Sequence, residues 1–305
     1  MLSVDLLNIF LMPGYCENVF KKNSPEPETS EMAYILFHGH RVCYTKHGMG
    51  EPMIFFHNAG NDHRIWDAQV AHFSKSYEVY AVDSLGYGQS DKPDVDYTLS
   101  LYADMVETFI EEVRIKKPII VGHCIGAAMS LHYSAKNPEK VKALILFNIA
   151  TVGGLRKGTY GIYYKMTRSI RFNKWLSKIL DHFILPRWKT TLEIGKQYGT
   201  TGDYNPGFID YLLTLYKHPW QLRSLASLVM NFKSFAVLDH FSKPADFPPV
   251  CVIWGEQNKI LPLAAGDDFC NRALPDRYEI IADCGHLVMR EKSEVVNELL
   301  TSFLG

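Results

Sequence analysis

The chain has 305 residues, 47% of them apolar and 21% charged, with a formal net charge of -1. That length fits one α/β domain carrying an insertion, and the near-neutral charge excludes general nucleic-acid binding. The six cysteines form no C-x-x-C pair, which removes zinc and thioredoxin-type readings and predicts reduced thiols in a cytoplasmic protein without metal or cofactor.

The first thirteen residues are apolar but are broken by Asp5 and Asn8 and lack a basic start. They make a poor secretory signal and are too short to span a bilayer. The expectation is an N-terminal extension over residues 1–30, docked on the body or touching a membrane surface. Tyr34 to His38 and Arg41 to Lys46 alternate around Gly39 as a hairpin. Pro52 to Phe56 and Tyr77 to Val82 read as short buried strands, and Trp66 to Phe73 and Leu99 to Val113 as helices. Pro118 to Val121 is a strand, Ile125 to Ala135 a helix and Val141 to Phe147 a strand.

Residues 151–243 break this rhythm with helical periodicity and many aromatics. Alternation resumes with a strand over Pro249 to Trp254, a helix over Leu263 to Arg272, a strand over Arg277 to Ile281 and a helix over Ser293 to Leu304. The pattern predicts a parallel sheet with helices on both faces and an antiparallel edge, built from 31–150 and 244–305. Residues 151–243 are then a helical cap. Its stretch from Arg156 to Lys189 mixes nine cations with aromatics, which suits an anionic or amphipathic substrate, or equally a solvated helix face.

The junction Gly122-His123-Cys124-Ile125-Gly126 has the strand–turn–helix form of a nucleophile elbow, with cysteine where serine is usual. A Cβ at Gly122 or Gly126 is expected to collide with the neighbouring strand and helix. With it, in order, stand His57-Asn58-Ala59-Gly60, Asp83 to Ser90, Trp254 to Asn258 and Cys284-Gly285-His286. These motifs resemble the capped branch of the α/β-hydrolase superfamily, which includes esterases, epoxide hydrolases, haloalkane dehalogenases and C–C bond hydrolases. The resemblance implies an α/β-hydrolase fold with a mostly parallel eight-stranded sheet.

It also implies Cys124 as nucleophile, favoured as thiolate by the helix head, and His286 as general base. The oxyanion hole falls to the backbone N–H groups of Ile125 and Ala59, with Asn58 next. Both usual positions for the acid hold asparagine, Asn258 and Asn148. A Cys124–His286–Asn258 set is coherent, because asparagine can accept from an imidazole N–H and a thiol needs little base assistance, as in papain-type proteases. Glu256, Asp267 or Asp283 reaching His286 is the competing arrangement. His123 reads as packing, Asp83 as the tie of its turn, and the H-x-x-x-x-D spacing of His57 and Asp62 as coincidence.

The function implied is hydrolysis of an ester or thioester through a Cys124 acyl-enzyme, with coenzyme A or carrier-protein thioesters among the candidate substrates. Transfer to an alcohol or amine stands close behind, since the cysteine elbow also resembles polyhydroxyalkanoate synthases. Dienelactone hydrolases likewise use cysteine. A non-catalytic receptor is the reading from another class.

Overall fold

The computed structural model describes residues 32–159, 161, 195–200, 206–216 and 220–305. The N-terminal extension and most of the basic, aromatic stretch lie outside the described residues. Of that stretch, Lys157 is paired with Asp268 on the surface.

The expected eight-stranded sheet is present. Its strands are β1 (Met32–Phe37), β2 (His40–His47), β3 (Glu51–Phe56), β4 (Tyr77–Val82), β5 (Ile119–His123), β6 (Ala143–Phe147), β7 (Val250–Gly255) and β8 (Arg277–Ile281). They lie in the order β1-β2-β4-β3-β5-β6-β7-β8. β2 runs antiparallel to β1 and β4, and every other pair is parallel. The hairpin turns at His38 and Gly39, both at positive φ. The helices are α1 (Asp67–Phe73), α2 (Leu99–Glu112), α3 (Ile125–Lys136), α4 (Val152–Lys157), α5 (Pro206–Tyr216), α6 (Gln221–Asn231), α7 (Leu263–Ala273), α8 (Val288–Glu291) and α9 (Ser293–Leu304).

Strand periodicity divides the core into two layers. Ile54, Phe56, Ile120, Leu144 and Val252 face α2 and α3. Phe55, Val121, Ile145 and Ile253 face the other way, onto Trp66 and the α9 residues Val296 and Leu300. β5, β6 and β7 are buried along their whole length, which is why they read as continuous apolar runs.

β3 lies between β4 and β5, so the chain leaves β3 toward one side of the sheet and β5 toward the other. The crevice outside the carboxyl ends of these two strands is a topological switch point, where open α/β sheets bind ligands. Phe56 pairs with Gly122 across it. The loop after β3 and the turn after β5 therefore start side by side. β5 runs further than the expected end at Val121. His123 still pairs with Phe147, so regular strand continues to the residue before Cys124.

Candidate active site

Cys124 joins β5 to α3 at φ 54° and ψ -107°. A residue with a side chain is rarely held at positive φ, and such strain costs about 1–3 kcal/mol. The surroundings over-determine it. Cys124 N–H donates to Phe147 O at 2.9 Å, and its carbonyl accepts from Ala128 at 3.0 Å and Ala150 at 3.1 Å. A Cβ on Gly122 would sit 2.4 Å from Gly126 O, and one on Gly126 would sit 2.3 Å from Phe56 O. Both glycines are thus required by close backbone approach, as the motif predicts.

The Cys124 side chain is half-buried, and the Ile125 N–H hydrogen-bonds its sulfur. Burial pushes the thiol up to about 12, and the Ile125 N–H offsets only part of that rise. Burial thus works against the ease of thiolate formation expected from the helix head. No hydrogen bond joins Cys124 to the His286 ring among the described residues. Burial is the sole cause of the shift that takes His286 down to about 3.

The loop after β3 is fastened from several directions. His57 Nδ1–H donates to Asn58 O at 2.6 Å, and its Nε2 accepts from Ser84 N–H at 2.9 Å. Burial brings His57 down to about 4 against an opposing pull from Asp83. Asn58 Oδ1 accepts from Asn61 Nδ2 at 2.7 Å, which turns the Asn58 side chain along its own loop. Ala59 stays half-buried and packs on the same core cluster as Cys124. Gln221 of α6 braces the loop by donating to Gly60 O at 3.2 Å.

Asp62 takes its bonds from Arg64 N–H and the Tyr211 hydroxyl, not from His57. Asp83 does tie its turn. It accepts from His63 N–H at 2.8 Å, His63 Nδ1 at 2.7 Å and Gln89 N–H at 2.7 Å. Oxygen and nitrogen atoms of Asp62, His63 and Asp83 lie within 4.8 Å of one another, but these atoms are already spent on the bonds just named.

His286 follows β8, on the loop the motif order assigns to it. Its N–H donates to Gln197 O at 2.5 Å. Its ring lies 4.4 Å from the ring of His123, the residue before the nucleophile. His123 is fully buried with neither ring nitrogen hydrogen-bonded, in keeping with packing.

Asn258 meets His286 with its amide nitrogen. Nδ2 lies 3.0 Å from His286 Nδ1 and donates to Asn148 Oδ1 at 2.9 Å. Its Oδ1 accepts from the N–H groups of Ile260 and Leu261, each at 3.0 Å. Asn148 Oδ1 also accepts from Gly255 N–H at 3.1 Å, and its Nδ2 donates to His286 O at 2.9 Å. Asn258 was expected to accept from the imidazole; it donates instead, because two backbone N–H groups already hold its oxygen.

The competing acids point elsewhere. Glu256 accepts from Asp283 N–H, Asp267 from the Tyr278 hydroxyl, and Asp283 from Gln257. The two asparagines, weighed in the sequence as alternative places for one acid, form one network. Nothing in the sequence marks Gln197 or Gln221 as supports.

A cleft of about 550 Å³ opens beside the loop, lined among others by Arg41, Lys92, Tyr211, Trp220 and Gln221. Neither Cys124 nor His286 lines it. Among the described residues no helix is long and apolar enough to cross a membrane.

A sequence profile described as alpha/beta hydrolase fold matches residues 51–159. Epoxide hydrolase 1 of Caenorhabditis elegans is 27% identical, over 93% of this chain and 73% of its own. An uncharacterized protein of Mycobacterium tuberculosis is 26% identical over 88% of this chain and 79% of its own. A thermophilic esterase from Thermogutta terrifontis superposes with a TM-score of 0.73 at 19% identity, over 90% of this chain and 98% of its own. The enol-lactonase from Burkholderia xenovorans LB400 does so with a TM-score of 0.72 at 18% identity, over 89% and 99%. Sheet order, the strained turn after β5 and these likenesses agree: the chain has the α/β-hydrolase fold.

Proposed function

We propose that the chain is a hydrolase acting on small ester or thioester substrates through an acyl group carried on Cys124. The observation that carries this reading is the φ of 54° at Cys124, at the mouth of the crevice between β3 and β5. A strained side chain raised at a switch point is costly to build and suits a nucleophile. Hydrolase names among the similar proteins, including an esterase and an enol-lactonase, support the reaction class.

In this reading Cys124 Sγ, as thiolate, attacks the carbonyl carbon. The C–S bond forms, the alcohol or thiol leaves, and water later releases the acid. Ile125 and Ala59 N–H groups hold the charge on the carbonyl oxygen. The His286 ring lies 4.4 Å from the ring of His123, the residue before Cys124, and Asn258 positions it. The cationic, aromatic stretch read in the sequence between Arg156 and Lys189 would favour anionic or amphipathic substrates. A non-catalytic receptor is the second reading, favoured by the amide nitrogen facing His286 and by the upward pull of desolvation on the Cys124 thiol.

Intact-mass spectrometry after exposure to p-nitrophenyl esters and acyl-coenzyme A thioesters separates the two. An acyl adduct that maps to Cys124 and disappears in Cys124→Ala supports the hydrolase. No adduct with any donor at neutral or alkaline pH leaves the receptor.

A further inference from the structure

We propose that Asn148 and Asn258 hold His286 as its Nε2–H tautomer, so that hydrolysis of the Cys124 acyl thioester proceeds without general-base help from this ring and an added thiol competes with water for the acyl group. The second half rests on the Cys124 acyl-enzyme proposed above; the first half stands on the hydrogen bonds alone.

The amide orientations are fixed by backbone. Gly255 N–H points at one atom of the Asn148 amide, which must be oxygen, and the other faces His286 O, which must be nitrogen. Ile260 and Leu261 N–H groups converge on one atom of the Asn258 amide, which must also be oxygen. Asn258 Nδ2 has two hydrogens. One goes to Asn148 Oδ1, and the other is left for His286 Nδ1 at 3.0 Å. An N–H facing a ring nitrogen needs a lone pair there. A neutral imidazole has one N–H, so it sits on Nε2. Turning either amide over sets N–H against N–H, and moving the ring proton to Nδ1 does the same. Burial keeps the ring neutral.

Such a ring donates a hydrogen bond from Nε2 and cannot accept a proton there. Attack of water on a thioester is assisted when its proton is taken as the C–O bond forms, and a ring held as Nε2–H is not the base that takes it. A thiol acceptor arrives already as thiolate. Its sulfur bonds to the acyl carbon, the bond from that carbon to Cys124 Sγ breaks, and Cys124 leaves as a thiolate that regains a proton from solvent. No proton passes through His286. Asn148 acts through Asn258 and is a positioning residue.

The test uses the full chain. Cys124 is acylated with p-nitrophenyl acetate under mildly alkaline conditions, excess ester is removed, and loss of the adduct is followed by mass with and without millimolar N-acetylcysteamine. The expected result has two parts. In buffer, the folded adduct is lost no faster than the same adduct on the denatured chain. Added thiol strips it with formation of the acetyl thioester. Faster loss to water from the folded chain than from the denatured one overturns the claim that the ring gives no base help. Failure of any adduct to form sinks the acyl-enzyme reading instead.

The tautomer is read separately by ¹⁵N NMR, with the His286 signal assigned by its loss in His286→Gln. An unprotonated Nδ1 and a protonated Nε2 are expected, and a proton on Nδ1 overturns the lock. Asn258→Asp combined with Asn148→Gly should move the proton to Nδ1 and speed loss of the adduct to water by roughly a hundredfold or more, the usual scale of a general base. Glycine suits position 148, where φ is 43°. If that variant does not fold, the wild-type spectrum and partition decide alone.

Discussion

The reactivity of Cys124 toward iodoacetamide follows from its surroundings. Burial raises the thiol from an ordinary 9.0 to about 12, and among the described residues no cation or protonated histidine stands against it. Three pKa units remove about a thousandfold of thiolate at neutral pH, while the more basic thiolate is intrinsically more nucleophilic by about twentyfold at a Brønsted slope near 0.45. The net expectation is alkylation roughly fiftyfold slower than a free cysteine at pH 7. The rate should climb about tenfold per pH unit through the range in which free cysteine levels off. Peptide-resolved mass spectrometry with isotopically coded reagent measures this at Cys124 separately from the other cysteines. A plateau below about pH 9, or a rate at neutral pH equal to free cysteine, would refute the reasoning. It would mean that a positive group already stabilises the thiolate, which a neutral, Nε2-protonated His286 does not supply.

Replacing the sulfur tests the same geometry from the other side. Cys124→Ser should form no acyl-enzyme, since an alcohol needs a base and the ring offers none. The same variant carrying Asn258→Asp and Asn148→Gly should regain one, detected as a p-nitrophenol burst. Gly126→Ala forces a Cβ to 2.3 Å from Phe56 O and 2.7 Å from His57 O. Overpacking against backbone on this scale should destabilise by about 3 kcal/mol or more in urea unfolding.

The buried His63–Asp83 pair predicts the pH dependence of stability. Burial lowers the His63 pKa, but Asp83 raises it further, to about 9. A histidine raised in the folded state gives stability that is complete below its unfolded pKa of 6.5 and is lost as pH rises through 9. The loss is on the order of 3 kcal/mol. Melting temperatures should fall across that window. Asp62, raised to about 7 by burial and by Asp83, adds a fall of the same sign at lower pH. Asp83→Asn should lower stability and flatten the decline between pH 6.5 and 9, which differential scanning calorimetry would read; an unchanged slope would show that His63 is not the titrating group.

The central strands were legible as short, continuous apolar runs between helices of clear periodicity, and the first two as an alternating hairpin. β4, β8 and α9 match their predicted bounds. The elbow was legible because Gly122 and Gly126 answer a backbone constraint that admits no side chain. What could not be read was hydrogen-bond direction. An asparagine at 258 offers an oxygen or a nitrogen to its neighbour, and the choice is made by Ile260 and Leu261 N–H groups converging on the oxygen. Nor could the effect of burial on the thiol be read. The helix head is visible in sequence, but the degree of desolvation is a property of the packed crevice.

The two asparagines constrain each other, and this decides how the site can change. A carboxylate at 258 alone would keep its bonds to Ile260 and Leu261 but bring its second oxygen to Asn148 Oδ1, where a hydrogen bond of 2.9 Å now lies. Asn148 cannot turn over to relieve this, because Gly255 N–H and His286 O hold its ends. Asn258→Asp alone therefore sets two acceptors against each other in a buried place, and its gain at His286 is offset by that contact. Removing Asn148 alone leaves Asn258 Nδ2 with the ring as its partner and the tautomer unchanged. The two substitutions are thus expected to be non-additive, with base activity at His286 appearing fully only when both are made. Equal and independent effects of the two would show that the amide chain is not the device that sets the ring's proton.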